Sequence, residues 1–189
     1  SGCLQGLLEM MNIPYVGPGV LSSSVLMDKF IAKQLFDYNK ISVIPFLSFN
    51  ARDLILSFDE LCDYFDECDA LFVKPANMGS SVGISKVYNQ EELSLAIKKA
   101  FLYDKDILIE KAIKARELEC AVLEVGEKIL TSSVGEIKPN HDFYSYEAKY
   151  LDPNGADIIV PANITLSIIE LVKQLSLKAF RIAKCKGMA

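Results

Sequence analysis

The stretch LFVKPANMGSSVGISK, Leu71 to Lys86, ends an apolar run in a lysine and follows it with a loop of glycines and serines. Such a loop can turn several backbone N–H groups toward one anion, because glycine lets the backbone approach closely and serine hydroxyls add donors. Lys74, directly before the loop, supplies a point charge for a phosphate oxygen. The chemistry that fits is a cover over a triphosphate, with Gly79, Ser80 and Ser81 at its centre. The order differs from the P-loop, in which the lysine follows the glycines, and the G-x-G-x-x-G spacing is absent. The plain alternative is a β-hairpin loop with a solvent lysine.

Other residues extend the first reading. Glu110 and Lys111 close the apolar run ILIEK before a change of direction, where backbone and polar side chain can read an adenine edge. The alternative is an exposed charged pair at a strand end. Glu117 can accept from ribose hydroxyls or stand as a surface carboxylate on a hairpin. YEAKY, Tyr146 to Tyr150, lies in a long polar and aromatic segment. Its lysine and two tyrosines suit closure over a ligand, or else an aromatic lattice that pins the loop to the core. His141 is the one histidine, so a His-dependent triad or a multi-His zinc site is hard to build, and it reads as a loop residue.

The elements that must hold these residues follow from periodicity and punctuation. Leu4, Leu7, Leu8 and Met11 mark one face of a helix, and IPYVG reads as a short strand closed by Gly17-Pro18-Gly19. The segment SSSVLMDKFIAKQLFDYN predicts one helix capped by Ser22 to Ser24, with Lys29 and Lys33 one turn apart. VIPFLSF predicts an edge strand, since Pro45 lacks a donor. A short helix over 59–65, strands at ALFVK and VGISKVY, and a helix from Asn89 to about Tyr103 with Glu92 completing a capping box come next. DILIEKAI predicts a strand, and residues 117–137 a hairpin turning at Gly126. The segment KPNHDFYSYEAKYLDPNGAD predicts a long loop. The last helix spans about Thr165 to Lys184, with Ile168, Ile169, Val172, Leu175 and Ala179 inward. Strands and helices alternate around an antiparallel hairpin, which predicts an α+β fold and not one doubly wound sheet.

Composition bounds the function. The chain has 189 residues, half of them hydrophobic, enough to bury a core. The net charge of −5 is made of interspersed signs with no basic block, which argues against nucleic acid as partner. No apolar run approaches about 18 residues, so no membrane span is expected. No signal-peptide pattern stands at Ser1, and SGCLQGLLEMM reads as the middle of a longer protein. Cys3, Cys62, Cys68, Cys120 and Cys185 form no C-x-x-C pair and are read as reduced residues of a cytosolic protein.

Taken in order, LQGLLE, IPYVG, MDK with a lysine four residues on, VKPANMGSSVGISKV, ILIEKAI, ELECAVL, SVGEI, FYSYEAKY and CKG resemble the bacterial D-alanine–D-alanine ligases of the ATP-grasp superfamily. The resemblance covers essentially the whole chain, and the lysine–proline–loop signature together with YEAKY is its most specific part. It implies an ATP-grasp fold of the α+β class: a remnant of an N-terminal α/β subdomain over 1–18, a central subdomain over 19–110, and a partial C-terminal subdomain over 111–189 with antiparallel sheet and helices. It implies that Lys29 and Lys74 hold nucleotide phosphates and that Met78 to Gly83 form the lid, with Ser80 closing the substrate site. Glu110, Lys111, Ala112 and Ile113 correspond to the adenine hinge, Glu117 to the ribose ligand and Phe143 to an aromatic near the adenine. The resemblance further implies that Lys149 faces the transferring phosphate and that Tyr150 bonds the lid serine.

The implied reaction joins two D-alanines through an acyl phosphate at the expense of ATP, with Mg2+ bridging the phosphates, for peptidoglycan precursors in the cytoplasm. The implied intact protein is a homodimer, without nucleic-acid or membrane partners. YEAKY resembles the dipeptide-forming members more than those that make D-alanyl-D-lactate. The family's N-terminal glutamate and its C-terminal R-x-D and N-E-x-N segments, which carry the metal ligands, are not in this sequence, so no metal ligand is assigned. A fragment without turnover of its own is therefore expected. The alternatives are a non-catalytic nucleotide-binding module or another carboxylate–amine ATP-grasp ligase.

Overall fold

A computed structural model describes residues 1–140, 146–152 and 154–189. In chain order its elements are α1 (Cys3–Met10), α2 (Val20–Met27), α3 (Lys29–Tyr38), β1 (Phe46–Asn50), α4 (Phe58–Tyr64), β2 (Leu71–Pro75), β3 (Ser85–Val87) and α5 (Gln90–Ala100). They continue as β4 (Asp106–Lys111), β5 (Glu117–Glu119), β6 (Val122–Val125), β7 (Lys128–Thr131), β8 (Gly135–Pro139), α6 (Tyr146–Tyr150), β9 (Ala156–Ile159) and α7 (Leu166–Ile182). They form two compact units: Ser1–Ser42 with Arg116–Asn140 and Ala156–Ala189, and Val43–Ala115 with His141–Gly155. The divisions between them fall after residues 42, 115, 140 and 155, whereas the sequence reading places them after 18 and 110.

The unit that begins at Val43 is built on a four-stranded antiparallel sheet of order β1-β4-β2-β3. Period-two alternation sends Leu71 and Val73 of β2, Ile107 and Ile109 of β4, and Val87 of β3 into one core with Leu61, Phe65, Leu93 and Ala96 of the helical side. Each of the large aliphatic side chains stabilises the fold by roughly 1.5–3 kcal/mol. The capping signals hold. Asn89 accepts from the Glu92 N–H at 3.0 Å while the Glu92 carboxylate accepts from Tyr88 N–H at 3.0 Å. Ser57 and Glu60 form a full reciprocal capping box on α4, whereas on α5 the expected box is incomplete, because Glu92 takes the N–H of Tyr88 and not that of the cap residue Asn89. The alternate positions of the strands, Phe46, Phe72, Lys74, Leu108 and Glu110, share the sheet face turned away from that core.

The other unit packs α2, α3 and α7 on the β6–β7 hairpin around Val122, Phe180, Ala183 and Cys185. Its second sheet is β5-β8-β9, also antiparallel. The hairpin turns at Gly126, whose φ of 60° is in the left-handed region. No helix among the described residues is long and apolar enough to cross a membrane.

Several sequence expectations change. The single helix over 22–39 is two. Asp28 adopts an extended φ, ψ of −85°, 108° and caps α3 by accepting from Ile31 N–H at 3.0 Å. Ser22 to Ser24 lie inside α2 and donate to carbonyls instead of capping. IPYVG is not a strand. The long loop contains α6 and the first residues of β9. On α7 the inward stripe is Ile169, Val172, Ser176, Phe180 and Ala183, and Ile168 and Leu175 face outward. A hydrophobic pattern passes over Ser176, which the helix accommodates because its hydroxyl donates to Val172 O at 2.9 Å.

The cysteine reading is also corrected. Cys62 and Cys68 are joined in a disulfide, with Cα atoms 4.9 Å apart. Asp66 and Glu67, both at φ 56°, reverse the chain after α4 and return Cys68 to its last turn. Cys3, Cys120 and Cys185 are free thiols.

Candidate functional site

Lys74 is the fourth residue of β2, so alternation sets it on the same face as Phe72 and opposite to Leu71 and Val73. Its Nζ donates to Glu110 Oε2 at 2.5 Å and lies 5.2 Å from the centre of the Phe72 ring. The pairing follows from register. Phe72 is opposite Glu110 and Lys74 opposite Leu108, so the lysine reaches its carboxylate diagonally across two adjacent strands. The lysine side chain is 21% exposed and that of Glu110 only 2%. Glu110 thus holds the ammonium in place from below, leaving further N–H groups of a three-donor head for an anion.

The direction change after β4 sits where a hinge is expected. Ala112 N–H is taken by Ala70 O at 3.0 Å, on the β2 side. By alternation the polar backbone of Lys111 points to the β1 side, beyond the last register pair Phe46–Glu110. The Lys111 side chain does not face this edge. Its Nζ donates to Phe65 O at 2.9 Å and Asp66 O at 3.1 Å, tying the hinge to the turn that the disulfide closes.

The Gly/Ser loop over residues 76–84 is a chain of tight turns. Val82 N–H donates to Gly79 O at 3.0 Å and Ile84 N–H to Ser81 O at 3.2 Å. Ser80, Ser81 and Gly83 all take positive φ, 53°, 60° and 72°. Two serines in the left-handed region cost on the order of 1 kcal/mol each, a cost characteristic of functional loops. Gly79 lies at the exposed tip, where an added Cβ would meet nothing within 4 Å. Ser80 Oγ lies 2.7 Å from Tyr150 OH, so the tip is bonded to α6. The Tyr146 and Tyr150 rings are 4.9 Å apart on that helix, and Lys149 beside them is half-buried.

Asp104, which sequence reading passed over, anchors the loop's first residue. Its Oδ2 accepts from Asn77 N–H at 2.8 Å and from Asn77 Nδ2 at 2.9 Å. Burial is the largest single influence on this carboxyl and raises its pKa. The hydrogen bonds from Asn77, Asp106 and Lys105 together outweigh it and hold the group below its ordinary value. Phe72 was also missed, although alternation from Lys74 identifies it.

The remaining predicted site residues are placed as follows. Lys29 is the first residue of α3 and Glu117 the first of β5, and both belong to the unit that contains the termini. Glu117 is exposed. Phe143 and His141 lie outside the described residues. Among the described residues, no three His, Cys, Asp or Glu side chains gather as a metal site.

A helix-backed antiparallel sheet with a lysine on its far face and a Gly/Ser loop rising from the lysine's own strand is an ATP-grasp architecture. D-alanyl-alanine synthetase A from Vibrio cholerae superposes on 99% of the chain, covering 56% of its own length, with TM-score 0.84 and 33% identity. The VanG D-Ala:D-Ser ligase of Enterococcus faecalis superposes on 99% of the chain and 53% of its own, with TM-score 0.81 and 32% identity. Sequence comparison agrees. The D-alanine–D-alanine ligase of Proteus mirabilis is 46% identical over 190 residues, spanning all of this chain and 51% of the relative. That of Caldicellulosiruptor bescii is 47% identical over 195 residues, spanning all of this chain and 52% of the relative. The profile described as D-ala D-ala ligase C-terminus matches residues 35–189. The chain belongs to this D-alanine–D-alanine ligase family, and it spans about half the length of the curated relatives it matches.

Proposed function

We propose that this chain carries the nucleotide-holding part of an ATP-dependent D-alanine–D-alanine ligase that serves peptidoglycan precursor synthesis. The unit with β1 to β4 and α6 is assigned as the central subdomain. The observation that carries the reading is the 2.7 Å hydrogen bond between Ser80 and Tyr150. It joins the loop that follows Lys74 to the YEAKY helix, which is the connection a closing lid requires.

ATP fits the residues present. Lys74 offers a held ammonium, and the 76–84 loop offers backbone donors with an open tip at Gly79. Within the unit of β1 to β4 and α6, Lys111 directs polar backbone to one edge, Lys74 would neutralise phosphate charge, Lys149 would face the transferring phosphate, and Ser80 with Tyr150 would keep water from the site. ATP supplies the activation that lets an amine displace oxygen at a carboxylate. The chain's contribution is positioning and charge neutralisation. Magnesium does not fit the described residues, which bring no cluster of acidic or imidazole ligands together. The YEAKY segment favours D-alanine over D-lactate as the second substrate.

Calorimetric titration of the chain with ATP tests the binding part. Lys74→Ala is expected to weaken ATP by tenfold or more, about 1.4 kcal/mol. Equal affinity in the two chains would remove the phosphate role of Lys74. D-alanine-dependent phosphate release by the whole protein tests the ligase part, and its absence would overturn the assignment of reaction.

A further inference from the structure

The loop over residues 76–84 has two feet, and both stand on the same dipeptide. The first foot is Asn77, whose backbone N–H and side-chain Nδ2 both donate to Asp104 Oδ2, at 2.8 and 2.9 Å. The second is Gly83, buried at φ 72°, where an added Cβ would lie 2.6 Å from Tyr103 Cδ2 and 2.7 Å from Pro75 Cγ. The Tyr103 ring, through Cδ2 and Cε2, and the Pro75 ring therefore fill the space beside the Gly83 Cα. Between the feet the tip is unsupported at Gly79 and reaches Tyr150 through Ser80. Tyr103 and Asp104 sit in the turn between α5 and β4. Asp106 of that same β4 start receives Ala76 N–H on its carbonyl at 2.9 Å, so the turn is itself fixed to the sheet. Tyr103 and Lys99 also line, with Ser81, Gly83 and Tyr146, a cavity of about 340 Å3 beside the loop.

We propose that Tyr103 and Asp104 are positioning residues for the phosphate-covering loop. They hold its feet at a fixed spacing, so that the tip alone opens and closes and Ser80 arrives at Tyr150 in register. A carboxylate suits this task. One oxygen accepts from both the backbone and the side chain of Asn77, which fixes the foot in position and in rotation, and charge-assisted bonds are about twice as strong as neutral ones. A glycine suits the other foot, because a bare Gly83 Cα leaves room for the Tyr103 ring with no side chain to displace it.

This inference rests on the nucleotide reading above and goes beyond it in assigning residues that touch no ligand. The test measures hydrogen exchange of the 189-residue chain together with its affinity for ATP and for adenosine, which lacks the phosphates. Asp104→Ala is expected to raise exchange in residues 77–84 alone, to weaken ATP by tenfold or more, and to leave adenosine unchanged. Asp104→Asn keeps an amide oxygen that can accept from Asn77 N–H and is expected to recover part of the ATP affinity. Asn77→Ala, which leaves Asp104 and the sheet intact, is expected to act in the same direction and serves where Asp104→Ala does not fold. Exchange raised throughout β2 and β4, or equal losses of ATP and adenosine, would mean general destabilisation and overturn the proposal. ATP binding lost in Lys74→Ala but kept in Asp104→Ala and Asn77→Ala would overturn the proposal alone. ATP bound alike by the unaltered chain and Lys74→Ala would overturn the nucleotide reading, and this proposal with it.

Discussion

Gly83 shows at the scale of one residue how closely the loop is fitted. Its φ of 72° disfavours any side chain, and the Cβ of an alanine would come within 2.7 Å of the Pro75 ring. A proline ring on a central strand cannot rotate away as a flexible side chain would. Gly83→Ala is therefore expected to cost about 2–4 kcal/mol, the sum of left-handed strain and overpacking. Urea denaturation reads it directly, and a loss below about 1 kcal/mol would mean that the packing yields. Lys74, Ser80, Lys149 and Tyr150 stand out by type in the sequence, and the structure pairs Lys74 with Glu110 and Ser80 with Tyr150. Phe72 was legible in principle from the alternation that places Lys74. Asp104 was not, because an aspartate before a strand has many ordinary uses and its partner Asn77 lies 27 residues away. Glu110 was placed at the hinge by order along the chain. Its side chain instead turns to Lys74, which only the strand register determines.

At the scale of elements, local signals read well and distant pairings did not. The capping residues of α4 and α5 lie three positions from the N–H groups that they accept from, so the box at Ser57 and the cap at Asn89 were legible or recoverable. The break at Asp28 was hidden because the hydrophobic periodicity of α2 and α3 runs through it. The antiparallel pairing of β5 with β8 falls within the hairpin read over 117–137, but the ion pair beside it is announced by no periodicity. Arg116 Nε and Nη2 donate to the two carboxylate oxygens of Glu136, each at 2.6 Å, and Nη2 also reaches Asn163 O at 3.1 Å. This bidentate arrangement holds the Glu136 carboxyl below its ordinary pKa. The Arg116 hydrogen bonds lead, burial opposes them, and the charges of Arg116 and Lys138 add to the lowering. A lowered folded pKa contributes stability that is present above the unfolded value, about 4.3, and is lost as pH falls through the folded one. Urea midpoints are accordingly expected to decline on acidification below about pH 4.3. Glu136→Gln should be less stable at neutral pH and show a shallower acid decline. Parallel acid limbs in the two proteins would show that Glu136 does not carry the dependence.

At the scale of the whole molecule, neither unit is one continuous piece of chain. That is why the boundaries expected from sequence, drawn as cuts along the chain, do not coincide with the compact units. The last residues make the point concretely. The hairpin of β6 and β7 was legible from its alternation and from Gly126, but the sequence contains no sign of what borders the other edge of β6. In the structure residues 187–189 lie there. Val122 N–H donates to Ala189 O at 2.7 Å, Ala189 N–H returns to Val122 O at 3.0 Å, and Glu124 N–H donates to Gly187 O at 2.7 Å. Gly187 N–H reaches Glu124 Oε2 at 3.1 Å, and Gly187 lies close against the Gly17 backbone, where a Cβ would meet Gly17 N at 3.0 Å. Residues 187–189 thus act as a third strand that joins the hairpin to the Gly17 turn. Removing them leaves the backbone groups of Val122 and Glu124 without these partners, and Val122 belongs to the core of its unit. At about 1 kcal/mol for each lost backbone bond, deletion of 187–189 is expected to cost about 2–4 kcal/mol. Hydrogen exchange provides the check, because the amides of Val122 and Glu124 should be protected in the intact chain and exposed after deletion. Fast exchange at both positions in the intact chain would mean that the segment frays in solution and contributes little. Protection that survives the deletion would mean that other groups serve the edge of β6.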